Sequence, residues 1–248
     1  MSSPSLAPDR ANAVTLVCGG VRGLGLAAAR AMAQRGDRVH LTWRGSAERA
    51  AALEAEFPDR VHQLDLEDEA ATRELVARLV ATEGRLDWVV DSVGAYDSGP
   101  LEGVSSEQLL ALWRSNVQTA LHLAAAVREP LRASHGAMVV FGCAGLDGLR
   151  ARRDCAAYAA AKSSLLVLVR SLAVEEARFG VRINMVSPGL VPHDGAHPET
   201  LDPALHARIP AGRAGTLDEI AAAVLHLTSD ASAHTTGNDL TVAGGWML

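Results

Sequence analysis

A chain of 248 residues with 48% hydrophobic side chains has material for one large α/β domain or two small ones, and its net charge of -6 argues against the basic stripe of a nucleic-acid-binding surface. Three cysteines, Cys18, Cys143 and Cys155, are an odd number without metal-ligand spacing; they fit reduced thiols in cytoplasm better than a disulfide framework, and no metal is expected. Of the 23 lysines and arginines, Lys162 alone is lysine.

Residues 1–11 read as a polar, proline-containing flexible arm that lacks the apolar centre of a signal peptide. From residue 12 onward, short apolar runs alternate with helical stretches: strand Val14–Cys18, helix Gly25–Arg35, strand Val39–Trp43, helix Ala47–Glu56, strand Val61–Leu64, helix Glu67–Ala81. The order continues with strand Leu86–Val90, helix Ser106–Arg128, strand Ala137–Phe141, helix Cys155–Phe179, strand Arg182–Val186, helix Leu217–Leu227 and strand Asp239–Val242. Continuous apolar runs joined by crossover helices predict a parallel sheet covered on both faces. The chain therefore reads as a doubly wound α/β (Rossmann) fold with a seven-stranded parallel sheet, residues 12–248 forming a single domain with no dividing linker. No later stretch reads as long enough to span a membrane, and the expected partner is a small molecule rather than a nucleic acid.

Ligands of such sheets lie beyond the carboxyl ends of the strands. After the first strand, Cys18-Gly19-Gly20-Val21-Arg22-Gly23-Leu24-Gly25 opens an alanine-rich helix. Its glycines allow a sharp turn and close backbone approach to a pyrophosphate, and strand before with helix after favours a dinucleotide site over an ordinary glycine-rich turn. The second strand ends in Arg44, where an acidic residue would meet a ribose 2′-hydroxyl. Arg44 with Arg22 suits a 2′-phosphate, which favours NADP over NAD; the competing reading leaves both arginines solvated. Tyr158, one of two tyrosines, precedes Lys162 by one helical turn. Such neighbours share a face, so the ammonium is expected near the phenol oxygen, pulling its pKa down from ~10; the competing reading is a chance lysine on a solvated face.

Together these residues resemble the short-chain dehydrogenase/reductase family, in the subgroup that includes ketoacyl-carrier-protein reductases and pteridine-reductase-like enzymes, over almost the whole chain. Gly19, Gly23 and Gly25 have the family spacing, and Asp65-Leu66 follows the third strand, where such enzymes hold the adenine. Asp91-Ser92-Val93-Gly94 stands where the family usually has Asn-Asn-Ala-Gly, and Asn116 occupies its structural and catalytic asparagine position. Tyr158-x-x-x-Lys162 matches the active pair, Ser187-Pro188-Gly189 with Val191 beyond it looks like the nicotinamide-contacting turn, and Val242-Ala243-Gly244-Gly245 resembles the C-terminal signature. The resemblance implies NADP(H) held by Gly19, Val21, Arg22, Gly23, Leu24, Gly25, Arg44, Asp65, Leu66, Ser92, Val93, Gly94, Tyr158, Lys162, Pro188, Gly189 and Val191. It implies hydride transfer to a small carbonyl compound, with Tyr158 giving its proton to the oxygen. Lys162 would bond the nicotinamide ribose and favour tyrosinate, while Asn116 would hold the helix carbonyl and water through which the proton is replaced. Two alternatives stay open: reduction of a C=N bond, and a cofactor-binding protein with an isomerase, dehydratase or binding role. A cytoplasmic homo-oligomer, dimer or homotetramer, is implied, paired through helices 106–128 and 155–179.

Departures from the pattern are informative. Cys143 falls where the family has the serine that holds the substrate oxygen; a thiol is a weaker donor, at a cost of ~1 kcal/mol or more. It is as readily a small buried hydrophobe, and its presence modestly favours a C=N substrate. The segment from Cys143 to Tyr158 is two residues longer than the family spacing and carries Arg150, Arg152, Arg153 and Asp154, read here as solvated, with Asp147 a further candidate acid. Asp91-Ser92-Val93 reads as a structural substitution, as does Cys18 for the usual threonine. Residues 190–213, with Pro192, Pro198, Pro203 and Pro210 and with His193, His197 and His206, stand where the family has its substrate lid, His193 being the one expected to meet substrate.

Overall fold

The computed structural model of the chain describes residues 12–148, 150–192 and 203–247; the expected N-terminal arm and the middle of the expected lid, with His193 and His197, lie outside them. The strands are β1 (Val14–Cys18), β2 (Arg38–Trp43), β3 (Val61–Gln63), β4 (Trp88–Asp91), β5 (Ala137–Phe141), β6 (Arg182–Pro188) and β7 (Asp239–Val242). They form one parallel sheet in the order β3-β2-β1-β4-β5-β6-β7. The order reverses direction between β1 and β4, which opens a crevice at the carboxyl ends of those two strands.

Helices α1 (Gly23–Arg35), α2 (Ala47–Leu53), α3 (Glu69–Glu83), α4 (Ser106–Trp113), α5 (Thr119–Ser134), α6 (Ala156–Glu176), the short α7 (Pro203–His206) and α8 (Leu217–Leu227) make the connections. Side chains alternate across each strand, so the sheet separates two cores. One holds Leu16, Val89, Met138 and Met185 against Leu75 of α3, Leu123 of α5 and Leu165 of α6. The other holds Val17, Val90, Val139 and Val186 against Met32 of α1 and Val224 of α8. Each fully buried aliphatic side chain contributes about 1.5–3 kcal/mol.

Several element ends shift by one to three residues from the sequence reading, and three differences are instructive. β4 begins at Trp88 rather than Leu86, because the Asp87 carboxylate turns aside to accept from the Val14 N–H (2.9 Å). The long helix expected over 106–128 is broken by a single π-helical turn, Arg114–Gln118, and resumes through Pro130 to Ser134, where buried Leu131 keeps it on the core. The third concerns membranes: Ala156–Phe179 is long and apolar enough to cross one, yet half of its apolar window is buried in this fold. On that helix Glu176, 4% exposed, receives Arg132 Nε at 2.7 Å and Arg128 Nε at 3.1 Å, a charged tie to α5.

Candidate active site

The turn after β1 is built for close approach. Gly19 has φ +72°, which favours glycine, and a Cβ on Gly25 would collide with the Gly19 carbonyl while standing 3.0 Å from the Ser92 side chain. α1 therefore starts tight against the ends of β1 and β4. No side chain caps its N-terminus and no acidic residue occupies its first turn, so its first N–H groups and dipole favour an anion. In front lies a cavity of about 410 Å³ lined by Gly19, Val21, Arg22, Arg44, Asp65, Leu66, Ser92, Val93 and Gly94. Beside it a second, of about 230 Å³, is lined by Gly19, Arg22, Gly23, Leu24, Ser92–Gly94, Phe141, Gly142, Tyr158 and Lys162. A nucleotide with two halves fits this pair of spaces, which share the glycine turn and the end of β4.

Arg44 stands at the rim of the larger cavity, half its side chain or more in solvent, with Nη1 3.5 Å from Asp65 Oδ1 and 3.4 Å from Glu67 Oε1. Exposed pairs of this kind contribute less than ~1 kcal/mol, so a phosphate group competes readily for the guanidinium.

In the smaller cavity the ammonium of Lys162 does something other than the helix spacing suggests. Its Nζ donates to the Phe141 carbonyl at 2.7 Å and stands 5.7 Å from the centre of the Tyr158 ring. A buried ammonium needs acceptors, and the end of β5 supplies one. Burial pushes Lys162 down to about 8, while the Asp91 carboxylate holds it up. Asp91 is itself pushed up to about 6 by burial, against the Val93 N–H that bonds it at 3.0 Å and the charge of Lys162. The expected fall in the Tyr158 pKa is not found: burial raises it, so the phenol keeps its proton.

Asn116 sits in the π-helical turn. Its Nδ2 donates to the carbonyls of Ala95 and Leu112, both at 2.9 Å, while its Oδ1 is buried without a partner. Gly94 leaves room for that oxygen: a Cβ there would strike Asn116 Oδ1 and approach Lys162 Nζ to 3.3 Å. Cys143 packs partly buried against the α6-side core, its thiol pushed up to about 11 by burial despite the charges of Arg152 and Lys162.

The inserted arginines are not simply solvated. Arg152 Nη2 donates to the carbonyls of Ala144 (2.8 Å) and Gly145 (2.6 Å), and Arg150 Nη1 to that of Met247 (2.9 Å). Arg152 thus braces the loop after β5 from within, and Arg150 ties it to the C-terminal segment. Asp147 is exposed and acts on Asp239 rather than on Tyr158. Pro188, Gly189 and Val191 lie outside the lining of the two cavities: Pro188 accepts from the Ala144 N–H (3.0 Å), Gly189 donates to Val242 (2.9 Å), and Val191 packs toward Gly215. Sequence reasoning passed over Tyr96, whose ring meets Tyr158 edge-on with centroids 4.9 Å apart; its signal was that the chain has only two tyrosines.

Comparison with known proteins finds relatives of the same fold along almost the whole chain. A family model described as enoyl-(acyl carrier protein) reductase matches residues 19–247. The 3-oxoacyl-[acyl-carrier-protein] reductase of Escherichia coli K12 is 31% identical over 241 residues, covering 95% of this chain and 97% of that one. The NADP-dependent mannitol dehydrogenase of Aureobasidium melanogenum is 34% identical over 252 residues, covering 94% and 91%. Among solved structures, the Pseudomonas aeruginosa RhlG/NADP active-site complex superposes with a TM-score of 0.86 at 28% identity, over 98% of this chain and 99% of that one.

Proposed function

This chain belongs to the short-chain dehydrogenase/reductase family, and on that premise we propose that it is an NADPH-dependent reductase of a small carbonyl compound. The observation that carries the proposal is the cluster at the end of β4 and β5, where Tyr158 and Lys162 line a two-part cavity that begins at an uncapped helix N-terminus, with Asn116 and Asp91 buried behind them. The cofactor, when bound, supplies a hydride. The chain's own residues do the rest. Gly19, Gly23 and Gly25 with the α1 N-terminus hold the pyrophosphate, Asp65 and Leu66 border the adenosine, and Arg44 with Arg22 takes the 2′-phosphate. Tyr158, its proton held by burial, gives that proton to the substrate oxygen as negative charge develops there. Lys162 keeps a positive charge beside the phenol, Asp91 keeps Lys162 charged in a buried setting, and Asn116 leaves one buried oxygen free to pass hydrogen bonds inward.

NADP is supported by the named NADP dependence of the mannitol dehydrogenase relative and by the NADP complex among the similar structures. The test is NADPH and NADH oxidation with a panel of ketones, quinones and imines. NADPH with ketones or quinones is the expected pair, and Arg44→Ala should raise the KM for NADPH about tenfold without moving that for NADH. Preference for imines would move the reading to C=N reduction; no oxidation of either cofactor would sink it in favour of a non-redox role.

The same cluster sets a pH dependence. Asp91 loses its proton as pH rises through about 6, and Lys162 loses its charge as pH rises through about 8. The charged pair therefore exists between these values, and kcat is expected to rise on the acid side and fall on the alkaline side. A profile flat from about pH 5 to about pH 9 would remove the pair from the mechanism.

A cytoplasmic homo-oligomer completes the proposal. Leu110 and Trp113 of α4, Leu121 of α5 and Val167 and Val174 of α6 are exposed, with Val174 at 81%, an apolar face suited to a second copy.

A further inference from the structure

We infer that Tyr96 is a specificity-determining residue whose exposed ring receives the flat body of a conjugated carbonyl substrate, an aryl ketone or a quinone. The inference rests on the carbonyl reduction proposed above and adds the substrate class. Both tyrosines of the chain meet at one place, their ring planes inclined at 76°. Tyr158 is partly buried in the reactive cleft, whereas Tyr96 is 67% exposed and directly follows Gly94 and Ala95, which line the adjoining cavity. Most of the other exposed large apolar side chains lie on α4, α5 and α6, and Leu101 shares the loop of Tyr96. Tyr96 does not lie on those helices, and a large ring left in solvent beside a reactive group points to a ligand.

The mount of this ring is fixed on both sides. Ala95 donates to Ser115 Oγ (3.4 Å) and its carbonyl accepts from Asn116 Nδ2 (2.9 Å). Four residues later Gly99 donates to the Asp154 carbonyl (2.7 Å), and Gly99 and Cys155 form an isolated parallel bridge. The loop is thus pinned to the elements that carry Asn116 and Tyr158. A tyrosine has few rotatable bonds, so a ring on a pinned loop loses little freedom when a ligand covers it. Two rings near a right angle form a corner. A flat molecule stacked on the exposed ring of Tyr96 would stand next to Tyr158, with an in-plane oxygen turned toward the phenol; aromatic stacking favours such a molecule over a saturated ketone.

The test compares Tyr96→Ala, Tyr96→Leu and Tyr96→Phe on 1-tetralone, menadione and the saturated analogue 1-decalone, with NADPH oxidation as readout and an NADPH-induced rise in melting temperature as the control for folding. The Ala and Leu variants are expected to raise KM for 1-tetralone and menadione about tenfold, with kcat within about twofold and KM for 1-decalone unchanged, while Phe keeps wild-type values. Equal changes for flat and saturated ketones, no change, or a wild-type enzyme that reduces 1-decalone but neither flat compound would overturn the inference and leave carbonyl reduction standing. Failure of every carbonyl compound to consume NADPH would instead overturn the proposed function, and this inference with it.

Discussion

Tyr158→Phe is expected to fold like the wild type and to lose about 10²- to 10⁴-fold in kcat on any carbonyl substrate, with the KM for NADPH little changed. The substitution removes one oxygen from a cavity wall and leaves the ring and its edge-on contact with Tyr96 in place. What disappears is the proton that burial has held on the phenol. The other proton carriers are placed differently: Lys162 is engaged by the Phe141 carbonyl, Asp91 is buried, and the thiol of Cys143, pushed up to about 11, is the weaker hydrogen-bond donor. Single-turnover NADPH oxidation measures the step directly. Retention of most of the wild-type rate would assign the proton to another donor, and a Tyr158→Phe, Cys143→Ala double variant would then show whether the thiol supplies it.

Gly94→Ala is expected to be as damaging to turnover and more damaging to the fold. The added methyl collides with Asn116 Oδ1, comes within 3.1 Å of Asn116 Cγ and meets Lys162 Nζ at 3.3 Å. Neither neighbour has slack: Nδ2 of Asn116 is bonded to two carbonyls, and Nζ of Lys162 to the end of β5. Overpacking of this kind costs about 1–3 kcal/mol, and displacing the ammonium by even a fraction of an ångström should lower kcat by about 10²-fold. Gly36→Ala is the contrast. Its backbone is also left-handed, at φ +103°, but nothing lies within 4 Å of the new methyl, so it should lose about 1 kcal/mol of stability and no activity. Thermal unfolding and kcat measured side by side separate the two cases; a Gly94→Ala enzyme with normal turnover would mean that Asn116 and Lys162 are not held as described.

The pattern of strands was legible because a sheet buried on both faces demands nearly continuous apolar runs, which Val14–Cys18 and Ala137–Phe141 supply, while Ile183, Met185 and Val186 carry β6 through its polar residues. The cavity lining was legible for a related reason: in such a sheet the ends of β1, β2, β3 and β4 converge, so Gly19, Arg44, Asp65 and Ser92 had to be neighbours. The π-helical turn was not. It adds one residue to one turn without disturbing the apolar spacing on either side, and it is supported by Asn116 Nδ2 on the Leu112 carbonyl, a bond that periodicity does not register. Helical spacing correctly placed Lys162 on the face of Tyr158, but spacing does not choose a rotamer. The need of a buried ammonium for an acceptor chose the Phe141 carbonyl. Arginine-rich composition likewise suggested solvated side chains at Arg150 and Arg152, whereas the carbonyls of residues 144, 145 and 247 gave them partners.

Lys162 is 4% exposed, and it is the one lysine of the chain. Every other positive side chain is a guanidinium, which stays protonated and does not accept acyl groups at neutral pH. Amine-directed reagents, whether acylating enzymes, crosslinkers or fluorescent esters, consequently find no side-chain target on the surface, and any that reacts beyond the terminal amine has entered the reactive cleft. The molecule carries its own selective handle for active-site labelling.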